Sequence, residues 1–283
     1  MKERGTYLAL RVAVAIFGAL PEPVIRRLGR AAGRIWHRVD PRRRRMVEHH
    51  MRRLDQPASG AVEVFASYGR YWAESFWARP RRIPRFKETL TIDGLDNLRR
   101  AMDGGRGVIV VLPHLGNWEA AALIAHYLDL DVVAVAERLA NPHITEWFTE
   151  QRAMFGIEIV LTGDGGVTAR LAERLRQQAA VCLLSDRDLT GRGLEVDFFG
   201  ERTTLPGGPA VLARRTGAPL VPAAVYFKPG AGHHGIIGSP IEIPADADAQ
   251  ETTQKIARQL EELIRRDPTQ WHLVQPNWPS DRA

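Results

Sequence analysis

The spacing of apolar and polar residues divides the chain into two parts. Up to about residue 85, apolar residues recur every three or four positions, which is the period of an amphipathic helix. From residue 89 onwards, short apolar runs alternate with stretches of helical period. Such alternation predicts an α/β fold with a mostly parallel central sheet flanked by helices. We therefore predict one domain, residues 1–283, in which a helical N-terminal subdomain (1–85) precedes the sheet-containing part (86–283).

The sheet-containing part is predicted to begin with a strand at residues 89–95. Further strands are expected at residues 108–112, 131–137, 157–162, 180–186 and 219–227. The main helices are expected at residues 117–127, 142–155, 166–178, 209–216 and 251–266. Residues 235–243 are predicted to form a final antiparallel edge strand, and residues 198–208 are predicted to form a loop.

The N-terminal helices carry a dense positive charge. Within residues 24–39, apolar residues occupy one helical face and arginines the other, and the PRRRR segment at 41–45 extends the charge. The net charge of +6 favours an anionic partner. Simple solvation is one interpretation and a helix on an anionic membrane surface is another. Nucleic acid is less favoured because no recognisable binding motif accompanies the charge. Residues 6–20 contain Arg11 and fall short of the roughly 20 apolar residues that span a membrane.

An aromatic stripe marks the predicted helix within residues 61–80. Its members recur at helical spacing: Phe65, Tyr68, Tyr71, Trp72, Phe76 and Trp77. Core packing is the favoured interpretation of such a stripe. The wall of a tunnel for a lipid chain is the alternative.

The turn after the strand at residues 108–112 carries the first chemical signal. His114 stands where the strand ends, and Glu119 follows five positions later. Ligands of open α/β sheets bind at the carboxyl ends of strands. Asn117 is expected to cap the next helix, which places Glu119 in its first turn. We predict that Glu119 folds back onto His114 and fixes its tautomer, so that the other ring nitrogen can take a proton from a hydroxyl. A hydrogen-bonded turn histidine and a glutamate favoured by the helix dipole are the alternative.

No nucleophile of the chain accompanies this base. The sequence has no GxSxG motif, Cys182 lies inside an apolar strand, and Ser185 has no base marked beside it. The reacting hydroxyl is therefore expected to belong to a substrate, with direct transfer between two bound molecules. HLGNWE also differs from the HExxH pattern of zinc enzymes, so metal binding is poorly supported.

Two segments resemble a known group of enzymes. HLGNWE resembles the HX4(D/E) motif of the glycerolipid acyltransferase superfamily, and PHLGNWE after an apolar strand resembles its bacterial lauroyl/myristoyl (lipid A biosynthesis) branch. The segment SDRDLTGRGLEVDFFGERTTLPGG and the residues up to 223 are similar to the second signature of that branch. Within the branch, the DRDL, EVDFFG and AERLANP segments most resemble actinobacterial phosphatidylinositol mannoside acyltransferases. The resemblance implies a glycerol-3-phosphate acyltransferase-like fold.

The resemblance also implies roles for individual residues. His114 would be the general base on the acceptor hydroxyl, and Glu119 would be its partner. Contacts with the substrates are implied for Glu137, Arg152, Asp186 and Arg187. Since Glu137 and Asp186 end two predicted strands, both are expected to flank His114.

The function implied by the resemblance is transfer of a long-chain acyl group from acyl-CoA to a hydroxyl of a mannosylated phosphatidylinositol. Acyl-CoA would be a co-substrate, and no cofactor is expected. The enzyme would lie on the cytoplasmic side of the cell membrane as a peripheral protein, with an anionic surface and no nucleic acid as partner. The alternatives are a lipid A precursor or another glycolipid as acceptor and, more remotely, a thioesterase or a non-catalytic lipid-binding protein.

Overall fold

A computed structural model describes residues 2–163, 165–188, 190–244 and 246–282. Its helices are α1 (Lys2–Ala19), α2 (Glu22–Val39), α3 (Pro41–Arg53), α4 (Ala61–Trp77), α5 (Ile83–Thr89), α6 (Leu95–Met102), α7 (Ala121–Ala125), α8 (Pro142–Ala153), α9 (Val167–Arg176), α10 (Gly208–Thr216) and α11 (Ala249–Arg266). Its strands are β1 (Leu90–Asp93), β2 (Val108–Leu112), β3 (Val132–Ala136), β4 (Ile157–Leu161), β5 (Ala180–Leu184), β6 (Leu194–Phe198), β7 (Glu201–Leu205), β8 (Leu220–Phe227) and β9 (His233–Ile237).

A seven-stranded sheet with the order β1-β9-β8-β2-β5-β3-β4 forms the centre of the fold. Strands β8, β2, β5, β3 and β4 are parallel to one another. The predicted α/β class, with a mostly parallel sheet and helices around it, is confirmed. Because β2 and β5 are neighbours, the carboxyl ends of these two strands lie side by side, with Leu112 opposite Leu184.

Successive side chains of the central strand β2 point to opposite faces of the sheet, and both faces are covered by apolar core. Ile109 and Val111 belong to a core cluster that includes Leu175 of α9 and Leu260 of α11. Val108, Val110 and Leu112 belong to a second cluster, which includes residues of α6 and α7. A strand that is covered on both faces has no polar side, so β2 reads as VIVVL rather than as an alternating pattern.

Three predicted elements differ from the structure. Strand β9 is antiparallel to β8, as predicted, but it pairs on its other side with β1, which is the edge strand. The predicted loop at 198–208 contains β7, which forms a two-stranded hairpin with β6. Its two-residue turn, Phe199 and Gly200, has positive φ at both positions, a geometry usually signalled by Asn-Gly rather than Phe-Gly. The predicted helix at 117–127 is a short α7 between two 3-10 turns.

Helix α2 packs on α4 through glycines. A Cβ on Gly33 would lie 1.9 Å from the carbonyl oxygen of Phe65, and one on Gly69 would lie 2.1 Å from that of Gly29. The helix buries Ile25 but leaves Leu28, Ile35 and Val39 on its outer side, where Leu28 is 45% exposed. Within the described part of the chain, no helix has the length and apolar character needed to cross a membrane.

Candidate active site

Two adjacent strands bring a histidine and an aspartate into contact. His114 follows β2, Asp186 follows β5, and the His114 Nδ1 and Asp186 Oδ1 atoms are 2.6 Å apart. The backbone N–H of His114 also donates to Asp186 Oδ2 at 3.0 Å. The aspartate therefore fixes both the ring and the main chain of His114 at the carboxyl edge of the sheet.

The Asp186 carboxylate is fully buried and ionised. Burial by itself would raise its pKa, but the charge of His114 and hydrogen bonds from His114 and Trp271 lower the pKa to about 2. Trp271 Nε1 donates to Asp186 Oδ2 at 2.7 Å. Since an ionised carboxylate can only accept hydrogen bonds, His114 Nδ1 must carry the proton. The other nitrogen, Nε2, is then the basic atom when the ring is neutral.

Glu119 pairs with a different residue from the one predicted. Its carboxylate accepts from Arg152 Nε at 3.1 Å and from Arg152 Nη2 at 2.7 Å, and Tyr71 donates its hydroxyl to it at 3.2 Å. Among the residues that the structure describes, no hydrogen bond joins Glu119 to His114. The expectation that Glu119 holds the ring is therefore wrong for this structure, because Asp186 already occupies Nδ1.

The turn between His114 and Glu119 is tightly held. Gly116 has a φ of 55°, and a Cβ there would lie 2.1 Å from the carbonyl oxygen of Val225. Asn117 donates its backbone N–H to that same oxygen at 2.9 Å. Asn117 precedes a 3-10 turn, as its predicted capping role requires, but its side chain makes no capping bond and donates to Glu74 at 3.0 Å instead.

Not all of the remaining predicted site residues lie beside His114. Arg152, near the end of α8, is held close to the turn by Glu119. Arg187 donates to Gln275 at 2.6 Å. Glu137 is exposed at the end of β3, and β5 separates that strand from β2. Asp186 thus flanks His114 as expected, whereas Glu137 lies one strand farther away.

Neither side chain considered as a nucleophile shows signs of activation. Burial raises the pKa of the Cys182 thiol to about 12, so the thiolate is scarce at neutral pH. The Ser185 hydroxyl is buried and donates to the carbonyl oxygen of Leu183 at 2.9 Å.

Sequence reasoning missed a second layer of polar residues around the turn. His272 donates its backbone N–H to the carbonyl oxygen of His114 at 2.8 Å, and burial lowers the pKa of its imidazole to about 3. Four buried polar residues of α4 face the same region: Ser67, Arg70, Tyr71 and Glu74. Their spacing of three and four positions indicates one face of a helix and could have revealed them in the sequence. The interpretation of this helix rested instead on its aromatic stripe.

The same turn lines an apolar cleft. The cleft is open to solvent and contains about 480 Å³ of empty space, and Asn117, Glu119 and Ala120 contribute to its wall. Its apolar lining comes from α5 and α8 and from residues just after α4 and α8: Ala78, Phe86, Trp147, Phe148 and Phe155.

A histidine held at Nδ1 by a buried carboxylate, on a turn that borders an apolar cleft, is an arrangement that suits activation of a hydroxyl beside a hydrophobic substrate. Comparison with known proteins gives the family. The chain belongs to the bacterial lipid A biosynthesis acyltransferases, whose family profile matches residues 2–280, and it is accordingly an O-acyltransferase.

Individual relatives refine this placement. The chain is 40% identical over 220 residues to a phosphatidylinositol mannoside acyltransferase of Mycolicibacterium smegmatis, covering 76% of this chain and 71% of the relative. It is 39% identical over 221 residues to the Mycobacterium tuberculosis protein of the same name, covering 76% and 69%. It is also 27% identical over 265 residues to the lipid A biosynthesis lauroyltransferase of Escherichia coli, covering 89% and 84%.

Proposed function

We propose that the enzyme transfers a long-chain acyl group from acyl-CoA to a hydroxyl of a mannosylated phosphatidylinositol. The observation that carries the proposal is the contact of His114 with the buried Asp186, which leaves His114 Nε2 as a base. Neither Cys182 nor Ser185, the two candidate nucleophiles, is activated. The choice of acceptor is supported by the 40% identity to a phosphatidylinositol mannoside acyltransferase. Acyl-CoA acts as a co-substrate, and the reaction needs no cofactor.

The reaction begins when His114 Nε2 removes the proton of the acceptor hydroxyl as its oxygen attacks the thioester carbonyl. Asp186 stabilises the imidazolium that forms, because Nδ1 already donates to it. The carbon–sulfur bond then breaks, and the departing CoA sulfur takes the proton back from Nε2. The developing oxyanion needs hydrogen-bond donors, and Arg152, held beside the turn by Glu119, is our candidate together with backbone amides.

The apolar cleft is the proposed site of the acyl chain. Aromatic side chains such as Phe86, Trp147 and Phe155 line it, and Glu119 and Arg152 border it. An alkyl chain in this cleft would bring its thioester close to the turn that carries His114. Acyl transfer to a bound hydroxyl, rather than to water, would then depend on how fully the two substrates exclude solvent.

Membrane association is supported by an exposed apolar surface, which we name the N-terminal apolar face. It consists of Leu8, Val12 and Ile16 of α1 and Val24, Leu28, Ile35 and Val39 of α2. Apolar residues exposed along one face of a helix in a folded protein mark an interaction surface. Exposed Arg11, Arg27 and Arg38 accompany it, and such residues favour anionic lipid by about 1 kcal/mol each. We propose that this face holds the enzyme on the cytoplasmic leaflet as a peripheral protein.

The test replaces His114 with Ala and measures transfer from radiolabelled palmitoyl-CoA to a mannosylated phosphatidylinositol in vesicles. Loss of a general base should lower turnover by about 10²–10⁴-fold. His49→Ala is the matched control, because His49 lies on α3 with 44% of its side chain exposed. Wild-type turnover in His114→Ala would refute the mechanism.

An acceptor panel separates the proposed substrate from its nearest alternative. The 27% identity to a lipid A biosynthesis lauroyltransferase makes a lipid A precursor the second acceptor to test. Preference for that precursor over the mannosylated lipid would leave the chemistry in place and change the substrate. Free fatty acid without any acylated acceptor would indicate a thioesterase.

A further inference from the structure

Helix α4 directs a row of buried polar side chains at the catalytic turn. We call Ser67, Arg70, Tyr71 and Glu74 the polar row of α4; each is at most 5% exposed. Their spacing places them on one face of the helix. That face would ordinarily be apolar, since burying polar groups costs free energy unless each finds a partner.

Two members of the polar row contact residues next to the reacting groups. Ser67 Oγ lies 2.9 Å from Nε2 of His272, the residue whose backbone N–H bonds to His114. Tyr71 donates its hydroxyl to Glu119 at 3.2 Å, and its ring stacks on Trp118 with the centroids 3.9 Å apart. The row therefore reaches both ends of the turn.

Glu74 makes the contacts in the middle of the turn. Its Oε1 accepts from Arg70 Nε at 2.7 Å, and its Oε2 accepts from Asn117 Nδ2 at 3.0 Å and from His233 Nε2 at 2.8 Å. Burial would raise the pKa of Glu74, but His233 and Arg70 lower it to about 2. The ionised carboxylate only accepts hydrogen bonds, so it fixes the orientation of the Asn117 amide.

Asn117 transmits this constraint to the catalytic residues. Its side chain is fixed by Glu74 and its backbone N–H by the carbonyl oxygen of Val225 at 2.9 Å. His114 lies three positions before it and Glu119 two positions after it. A rotation at Asn117 would move the proposed base His114, and Glu119 which holds Arg152, relative to the sheet.

We propose that Glu74 is a positioning residue, which holds the His114–Glu119 turn in its reactive geometry through Asn117. The proposal rests on the proposed function, because it takes this turn as the reacting centre. Arg70 and His233 pair with the buried carboxylate of Glu74, and the same carboxylate holds the side chain of Asn117. A purely structural ion pair would tie α4 to β9 without any need for the bond to Asn117.

Two variants test the proposal from opposite ends of the bond. Glu74→Ala removes both acceptor oxygens, so Asn117 loses its partner together with Arg70 and His233. Asn117→Ala leaves Arg70, Glu74 and His233 paired and removes only the link to the turn, so it preserves the buried charges if Glu74→Ala fails to fold. Misplacing catalytic groups by about 1 Å costs roughly 10²-fold in rate. We expect kcat to fall by about that factor in both variants, with the KM for palmitoyl-CoA within about twofold of wild type.

Glu63→Ala is the matched control. Glu63 lies on the same helix and also pairs with two arginines, Arg30 and Arg34, but it faces α2. This variant should keep the wild-type kcat. The double variant Glu74→Ala/Asn117→Ala should lose no more activity than Glu74→Ala alone, because Asn117 has already lost its partner in the single variant.

Hydrogen exchange of the peptide at residues 113–120 gives a readout that does not depend on activity. Loss of a hydrogen bond to a charged acceptor should speed exchange there by about tenfold in Glu74→Ala and Asn117→Ala, and Glu63→Ala should leave it unchanged. Wild-type kcat and exchange in a folded variant would overturn the proposal, as would activity that falls only in step with Tm. If wild-type enzyme transfers no acyl group, the proposed function fails, and the exchange rates alone decide whether Glu74 holds the turn.

Discussion

The Asp186→Asn substitution tests which carboxylate sets the tautomer of His114. Asp186 Oδ2 accepts from Trp271 Nε1 and from the backbone N–H of His114, both of which can only donate. The single oxygen of an asparagine must take that place, which turns its NH₂ group toward His114 Nδ1. His114 would then carry its proton on Nε2, the atom that must accept the proton of the substrate. The wrong tautomer should lower kcat by about 10³–10⁴-fold.

The same substitution has a calculable effect on stability. The pKa of Asp186 falls from its ordinary 3.8 to about 2 in the folded protein. At about 1.36 kcal/mol per pH unit, the ionised carboxylate stabilises the fold by about 2 kcal/mol. Because the folded pKa is the lower one, this contribution is complete above about pH 4 and disappears as the pH falls toward 2. Urea unfolding between pH 5 and 2 should therefore show a shallower pH dependence in Asp186→Asn, with the part due to Glu74 retained.

Single-turnover acyl transfer with the folded variant separates the two effects. Asp188→Asn is the matched control, because Asp188 accepts from Thr190 and Gly193 within its own loop and should keep wild-type turnover. Turnover of Asp186→Asn within about threefold of wild type would refute the assigned tautomer. A larger loss in Glu119→Gln than in Asp186→Asn would show that Glu119 serves the ring during reaction, as the sequence alone suggested.

The N-terminal helices give two further predictions. Gly33→Ala should lower the free energy of unfolding by about 1–3 kcal/mol through overpacking, because its Cβ would meet a backbone oxygen at 1.9 Å; Gly5→Ala, with open space around it, should not destabilise the protein in the same denaturant titration. Leu28→Asp should weaken flotation with anionic vesicles by tenfold or more. Val211→Asp, which changes an exposed residue of α10, should leave flotation unchanged. Equal binding by both variants would argue against membrane binding through the N-terminal apolar face.

The predicted position of His114 in the fold is confirmed, because it depended only on neighbouring residues in the sequence. The run before His114 identified a strand covered on both faces, and the sheet does place His114 at the carboxyl end of β2. The partner of His114 could not be read in the same way. Asp186 is 72 positions away in the chain, and it reaches the ring because β5 lies beside β2. Glu137 ends a strand by the same local signal, yet the strand order places it one position farther out.

Local patterns by themselves determined that the chain alternates strands and helices, that His114 stands at a strand end, and that no activated nucleophile accompanies it. The tertiary structure alone decided which carboxylate holds His114, what Glu119 pairs with, and which side of α2 faces outward. The physical reason is the distance along the sequence over which each feature is set. Periodicity indicates which face of its own helix or strand a residue occupies. Ion pairs and helix contacts join residues that are far apart in sequence, so they depend on the strand order and on how closely two backbones approach. The glycines of α2 illustrate the second case, since they pack against α4, whereas Leu28 lies on the surface.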